Sequence, residues 1–315
     1  MIAKYSSSVR ERSLMLGALR GCIQTGTEIG PFIGGALYTN TGDKQWPFGT
    51  VAIASGLSVV LTLWLTVEAR HRPRTTKHDP KSSSASQNPS VPWCALLRDQ
   101  RIMCCIGAVS VASVTYSTTL PMLAVWLMDT IPNITELAIG FVTLIALPIY
   151  LLGVCTALAL IEIAPSYLTL YSAIGLTVSG VSLTLMVSVS AGVYTVVCVL
   201  FGGLAFGKAI LFHCIYLWLV EAVESNETCR QHDFEVAYSR AFSLCVFLKY
   251  IVWLIGGLSS GYIVEATGFP VLCYIVVAMH LLAALMVLAL LPLRIETSLD
   301  CSVDECQPLL ADHHQ

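Results

Sequence analysis

Charge is scarce in this sequence: of 315 residues only 12% are Asp, Glu, Lys or Arg, whereas 56% are apolar. That balance excludes a water-soluble fold, because a chain with a mean hydropathy of +0.74 cannot hide its apolar surface in one core. Runs that alternate apolar and polar residues are also missing, which excludes a membrane barrel built from strands of about ten residues. No phosphate-binding loop, nucleophile–base arrangement or metal-ligand cluster occurs at a recognisable spacing, so neither an enzyme nor a metal or other cofactor is expected. Cysteine is not scarce, at 12 residues. Most of the cysteines, such as Cys104, Cys105, Cys198 and Cys214, fall inside apolar runs and read as small packing residues rather than a disulfide framework. Cys229 and His232 share a short loop, but two potential ligands do not make a zinc site.

What the chain has instead is a series of long apolar runs. Taking roughly 20 residues as the unit needed to cross a bilayer, spans are expected near 13–38, 47–67, 101–128, 137–160, 167–189, 192–221, 240–264 and 269–293. The expected fold is therefore an all-α integral membrane bundle of about eight helices, with the lipid bilayer as its first partner. Arg70, Arg72, Arg74, Lys77, Lys81, Arg98 and Arg101 crowd into 68–101, while the loops 39–46 and 129–136 hold only Lys44. The excess places the 68–100 stretch on the cytoplasmic side. This explains the basic cluster without nucleic acid. With its Ser82-Ser83-Ser84-Ala85-Ser86 run and prolines, the stretch reads as a disordered linker between two helical parts. Both chain ends then also face the cytoplasm. The sequon at Asn133 falls on the lumenal side and the one at Asn226 on the cytoplasmic side, so Asn226 is expected to stay unmodified. The polar opening from Lys4 to Arg12 has no signal-peptide pattern.

The first span carries Gly17, Gly26, Gly30, Pro31, Gly34 and Gly35. Glycines at four-residue spacing let a neighbouring helix approach closely, and the proline bends the backbone beside them. The pattern resembles the antiporter signature of the fifth transmembrane helix in the drug:proton antiporter branch of the major facilitator superfamily, with all six fixed positions present. Within that branch the chain is most similar to the vesicular amine and acetylcholine transporter family, on the stretch from Met1 through Glu11-Arg12-Ser13 to Gly35. Leu97-Arg98-Asp99, Trp126-Leu127-Met128-Asp129-Thr130 and Gly268-Phe269-Pro270 resemble it as well. The spacing of Ile29-Gly30 through Gly35 and Thr41-Gly42 recurs as Ile255-Gly256-Gly257 through Gly261 and Thr267-Gly268. A repeat unit of six helices follows. The eight spans would thus correspond to helices five to twelve of a twelve-helix fold: 1–67 holds the last two helices of the N-terminal half, 101–293 is the C-terminal half, and 294–315 is a cytoplasmic tail. Four helices are expected to precede Met1, whether through a short form or an incomplete gene model.

Candidate site residues are the polar groups at membrane depth, where each is costly unless it faces a partner or a wet cavity. Arg20, Gln24 and Glu28 form one stripe on the first span, set either to line a cavity or to pair with preceding helices. Lys208, His213 and Glu221 lie on the sixth span; the usual role of such a histidine is helix packing. The resemblance implies that Glu221 carries a coupling proton; its position equally fits the cytoplasmic end of the helix. Two acids of the family are absent, Leu120 standing before Pro121 and Val246 replacing the other. Lys249 lies nearby instead, which argues against a simple monoamine cation as solute. The loop Glu162-Ile163-Ala164-Pro165-Ser166 lacks the family's Gly-Arg pair. In the tail, Glu305 precedes Leu309 and Leu310 in the form read by adaptor proteins, pointing to vesicular or endolysosomal membranes. The resemblance implies a secondary active transporter that exchanges a small organic solute for protons by alternating access. The rival expectation is a non-transporting membrane interaction or dominant-negative protein.

Overall fold

The computed structural model describes residues 9–71, 93–188, 194–226, 229 and 234–290. The linker serines, the residues after 290 with the Glu305, Leu309 and Leu310 motif, and His232 lie outside them. The helices are α1 (Val9–Thr41), α2 (Gln45–His71), α3 (Trp93–Arg98), α4 (Gln100–Thr130), α5 (Glu136–Ile163), α6 (Leu168–Ser188), α7 (Tyr194–Ser225), α8 (Phe234–Thr267) and α9 (Phe269–Ala289). Among the described residues eight of these are long, α6 and α9 being the shortest at 21 residues. At 1.5 Å per residue even these reach the roughly 30 Å of a hydrocarbon layer.

Among the described residues seven helices are long and apolar enough to cross a membrane, and the chain is a multi-pass integral membrane protein. Seven of the eight expected spans meet this measure among the described residues. The missing member is α1, whose apolar run is interrupted by Gln24, Thr25, Thr27 and Glu28 near its middle. Two of these, Gln24 and Glu28, are buried where the helix touches the rest of the bundle.

α7 is the central element, buried along most of its length between α5 and α6. Glycines bring the three together: a Cβ on Gly153 of α5 would stand 2.8 Å from the Phe206 carbonyl oxygen, and one on Gly207 of α7 only 2.5 Å from that of Gly175 on α6. α4 packs against α8 and α9, and α1 against α5. Two apolar clusters occupy opposite ends of the bundle. One gathers Cys105, Ala157, Leu176, Ile215, Trp218 and Ala241; the other gathers Leu127, Val142, Tyr150, Leu183, Phe201 and Phe269. Between them, at mid-depth, lie buried Ser113, Thr115, Ser179, Lys208 and His280.

The stretches singled out by sequence sit at the two ends. Asp99 caps α4 by accepting from the backbone N–H of Arg101 at 2.8 Å, and its other oxygen accepts from Asn226 Nδ2 at 2.7 Å. The Asn226 side-chain oxygen in turn accepts from the Cys229 N–H at 3.1 Å. At the opposite end Trp126 stacks on Phe269 with ring centroids 5.1 Å apart, joining two of the family-like stretches. There the α4–α5 turn holds Asn133 at φ 59°, a left-handed conformation that asparagine tolerates better than most residues. Thr135 of the same sequon caps α5, its hydroxyl accepting from the Ala138 N–H.

Candidate functional site

α1 meets the body of the bundle through two kinds of contact. The first is a close crossing with α5. A Cβ added at Gly35 would stand 2.7 Å from the Glu136 carbonyl oxygen, and one at Gly140 would stand 2.7 Å from the Phe32 Cα. Phe32 and Phe141 pack alongside with centroids 4.9 Å apart. Pro31 lies in this crossing, its carbonyl oxygen 3.1 Å from a Cβ at Gly140. Gly26, Gly30 and Gly34 face nothing within 4 Å. Gly17 and Arg20 lie in the helical segment, but their surroundings are outside the described residues.

The second contact is polar and buried. Glu28 is fully enclosed and Gln24 is 8% exposed. Gln24 Nε2 donates to Glu28 Oε1 and to the Tyr116 hydroxyl of α4, the latter at 2.9 Å. The Tyr116 hydroxyl donates to the same Glu28 Oε1, closing a triangle of three side chains. Thr143 of α5 donates to the Glu28 backbone carbonyl at 2.9 Å. Glu28 Oε2 is buried and has no hydrogen-bond partner among the described residues. Lys208 of α7 acts electrostatically on this carboxyl group, and its Nζ lies 2.8 Å from the centroid of the Tyr116 ring. A buried acid beside a buried ammonium satisfies the rule that charge at membrane depth is compensated. The group is thus assembled from four helices, and no single one of them supplies both charges.

Gln24, Tyr116 and Lys208 form part of the wall of a cavity of about 270 Å³. The rest of its lining includes Ile23, Thr27, Ser113, Leu120, Tyr150, Phe212, Lys249, Tyr250 and Trp253. The cavity lies level with the seam between the two apolar clusters. Lys249 Nζ is 5.1 Å from the Tyr250 ring centroid. Beyond the wall, His280 of α9 is fully buried, with Nδ1 2.9 Å from the Val276 carbonyl oxygen and Nε2 3.4 Å from the Thr115 hydroxyl.

Of the sequence candidates, Gln24, Glu28, Lys208 and Lys249 therefore come together. His213 is buried on α7 with Nδ1 2.8 Å from the Ala209 carbonyl oxygen, one turn back on its own helix. Glu221 lies in the last turn or so of α7, toward the end marked by Asp99 and Asn226, and does not line the cavity. In the second glycine pattern, Gly256 crosses α4 with a would-be Cβ 2.7 Å from the Ser117 hydroxyl. Gly257 comes within 3.7 Å of the Ser117 carbonyl oxygen, and Gly261 faces nothing within 4 Å. Sequence reasoning misses Tyr116, Tyr150 and His280. Their signal is the polar run Ser113 to Thr119 in α4 and one imidazole inside the most apolar helix, α9.

Comparison with known proteins adds to this geometry. The chain is 26% identical to the vesicular acetylcholine transporter of Drosophila melanogaster over 279 residues, covering 88% of this chain and 45% of that protein. It is 23% identical to the vesicular acetylcholine transporter unc-17 of Caenorhabditis elegans over 281 residues, covering 88% and 49%. With the vesicular acetylcholine transporter of Mus musculus it shares 26% identity over 269 residues, covering 85% and 47%. The chain spans about half the length of these curated relatives. Residues 1–230 match the family model described as Major Facilitator Superfamily, and the chain belongs to that superfamily.

Proposed function

We propose that the chain is the solute-handling part of a secondary active transporter, which moves a small organic solute by alternating access and carries a proton on Glu28. The observation that supports this most is the buried Gln24–Glu28–Tyr116 triangle beside Lys208, set at mid-depth against a cavity of about 270 Å³. Transporters of this architecture bind solute near the bilayer midplane and rock one helical half against the other around it. A carboxyl group that switches between an acid and an ion beside Lys208 changes the cavity's charge by one unit each cycle. For a cationic solute, such a group couples by exchange, since proton and cation compete for it. That is the antiport sense implied by the resemblance to the amine transporters.

In this reading 101–293 is the C-terminal six-helix half, with α1 and α2 belonging to the preceding half and 68–100 linking them. Glu221 takes the part of an end-of-helix charge, and Glu305, Leu309 and Leu310 that of an adaptor-binding signal. The relatives named as vesicular transporters suggest a vesicular membrane. The second reading, a membrane interaction protein that transports nothing, is favoured by Gly26, Gly30 and Gly34, which meet no described helix of this chain.

Proteoliposomes holding the full chain and a trapped pH-sensitive dye separate the two. Benzenesulfonate and phenyltrimethylammonium serve as permanently charged probes of opposite sign. The transport reading expects one of them to evoke a proton flux that Glu28→Gln abolishes. Folded protein that gives no flux with either probe would favour the interaction reading.

A further inference from the structure

The cavity wall carries charge of one sign. Among the described residues that line it, the charged ones are Lys208 and Lys249, and none is an acid. Glu28 stands behind the wall, its Oε1 held by Gln24 and Tyr116. With Glu28 ionised, these three groups sum to one positive charge; with Glu28 protonated they sum to two.

Aromatic walls can bind ammonium ions through their ring faces. Here two of the rings already face the protein's own ammonium groups. Tyr116 lies beneath Lys208, at 2.8 Å, and Tyr250 faces Lys249 at 5.1 Å. A cationic solute would have to enter beside both lysines and find no carboxylate on the wall. An anionic group, by contrast, meets two ammonium groups, while Phe212 and Trp253 offer apolar surface for a ring or short hydrocarbon. The volume, at about 270 Å³, is slightly below the roughly 300–1,000 Å³ of pockets for drug-sized ligands, so the body of the solute is small.

We infer that the solute is a small organic anion with an apolar body, held between Lys208 and Lys249, and that it binds together with the proton on Glu28. This rests on the transport reading and replaces exchange by cotransport in the same direction. Proton and anion reinforce each other because protonating Glu28 removes a negative charge that acts on Lys208. Among the described residues, Tyr116 from α4 and Lys208 from α7 face Glu28; Tyr150 of α5 and Lys249 of α8 line the cavity, and His280 of α9 lies beyond Lys208. Among these Glu28 is the carboxylate, so it carries the coupling.

The test is equilibrium binding of radiolabelled benzenesulfonate and phenyltrimethylammonium to the purified full chain in detergent. Neither probe titrates, so any pH effect belongs to the protein. The sulfonate is expected to bind at least about tenfold more tightly than the ammonium. Its affinity is expected to rise as the pH falls, and Glu28→Gln to abolish that rise. Lys249→Gln, on a half-buried side chain, should weaken the sulfonate by roughly tenfold, with Lys249→Arg restoring most of it. Tighter binding of the ammonium, or no binding of either probe by folded protein, would overturn the inference. Sulfonate binding without uptake into proteoliposomes would retain the anion site and sink the transport reading; ammonium-driven flux without sulfonate binding would do the reverse.

Discussion

α1 and α8 carry the same glycine pattern and use opposite ends of it. In α1 the last glycine, Gly35, makes the close approach, and what a Cβ would strike there is the backbone of Glu136. In α8 the first glycine, Gly256, makes it, and the obstacles are the side chains of Ser117 and Thr118. A repeated glycine motif thus permits contact along a whole stripe, while the neighbouring helix decides which glycine is needed. The kind of atom met also matters, because a hydroxyl can rotate aside and a carbonyl in a helix cannot.

That difference sets an order of effects in thermal unfolding of the detergent-solubilised chain. Gly35→Ala and Gly140→Ala should be the most damaging, at about 2–3 kcal/mol each, since both force apart two backbones. Their double variant should cost less than the sum, the two glycines serving one crossing. Gly256→Ala should cost about 1 kcal/mol, and adding Ser117→Ala should recover part of it, because the nearest obstacle is then gone. Gly34→Ala and Gly261→Ala, each facing open space, should change stability by no more than about 0.5–1 kcal/mol, with helix propensity favouring alanine. Equal losses at Gly35 and Gly34 would break the distinction between a used and an unused glycine. The smallest effect lies far from both crossings. Burial and the nearby Asp99 push the Cys229 thiol up, so its reactive thiolate form appears only at higher pH. Alkylation of Cys229 at neutral pH should therefore be slow beside an exposed thiol and accelerate above the ordinary thiol range.

Much of the fold was legible because membrane burial demands long apolar runs, and seven of the eight expected spans meet that demand. The eighth, α1, was expected as an apolar run like the others, but its stripe of polar residues lowers its hydropathy, and Gln24 and Glu28 of that stripe are buried. Lys208 and Lys249 were legible for the same reason: a formal charge inside an apolar run is too costly to be incidental. Tyr116, Tyr150 and His280 escaped because they carry no fixed charge, and a hydroxyl or neutral imidazole is cheap enough to occur anywhere in a helix. Their importance comes from position. Tyr116 matters because α4 brings its hydroxyl to Glu28 of a helix 88 residues away in sequence, a pairing no local pattern contains. Which glycine of the motif would be used was likewise not legible, since it depends on Gly35 meeting Glu136 and Gly140 meeting Phe32 across the α1–α5 crossing.

The account stands on Glu28 as the group that takes up a proton when the solute binds. The most direct measurement is the pH change on adding benzenesulfonate to the purified chain in lightly buffered detergent solution, for the native protein and Glu28→Gln. The account predicts net proton uptake on binding in the native protein and none in the variant, with the sulfonate still bound by both. Equal proton uptake by the two proteins, or saturating binding with no proton taken up by either, would contradict it.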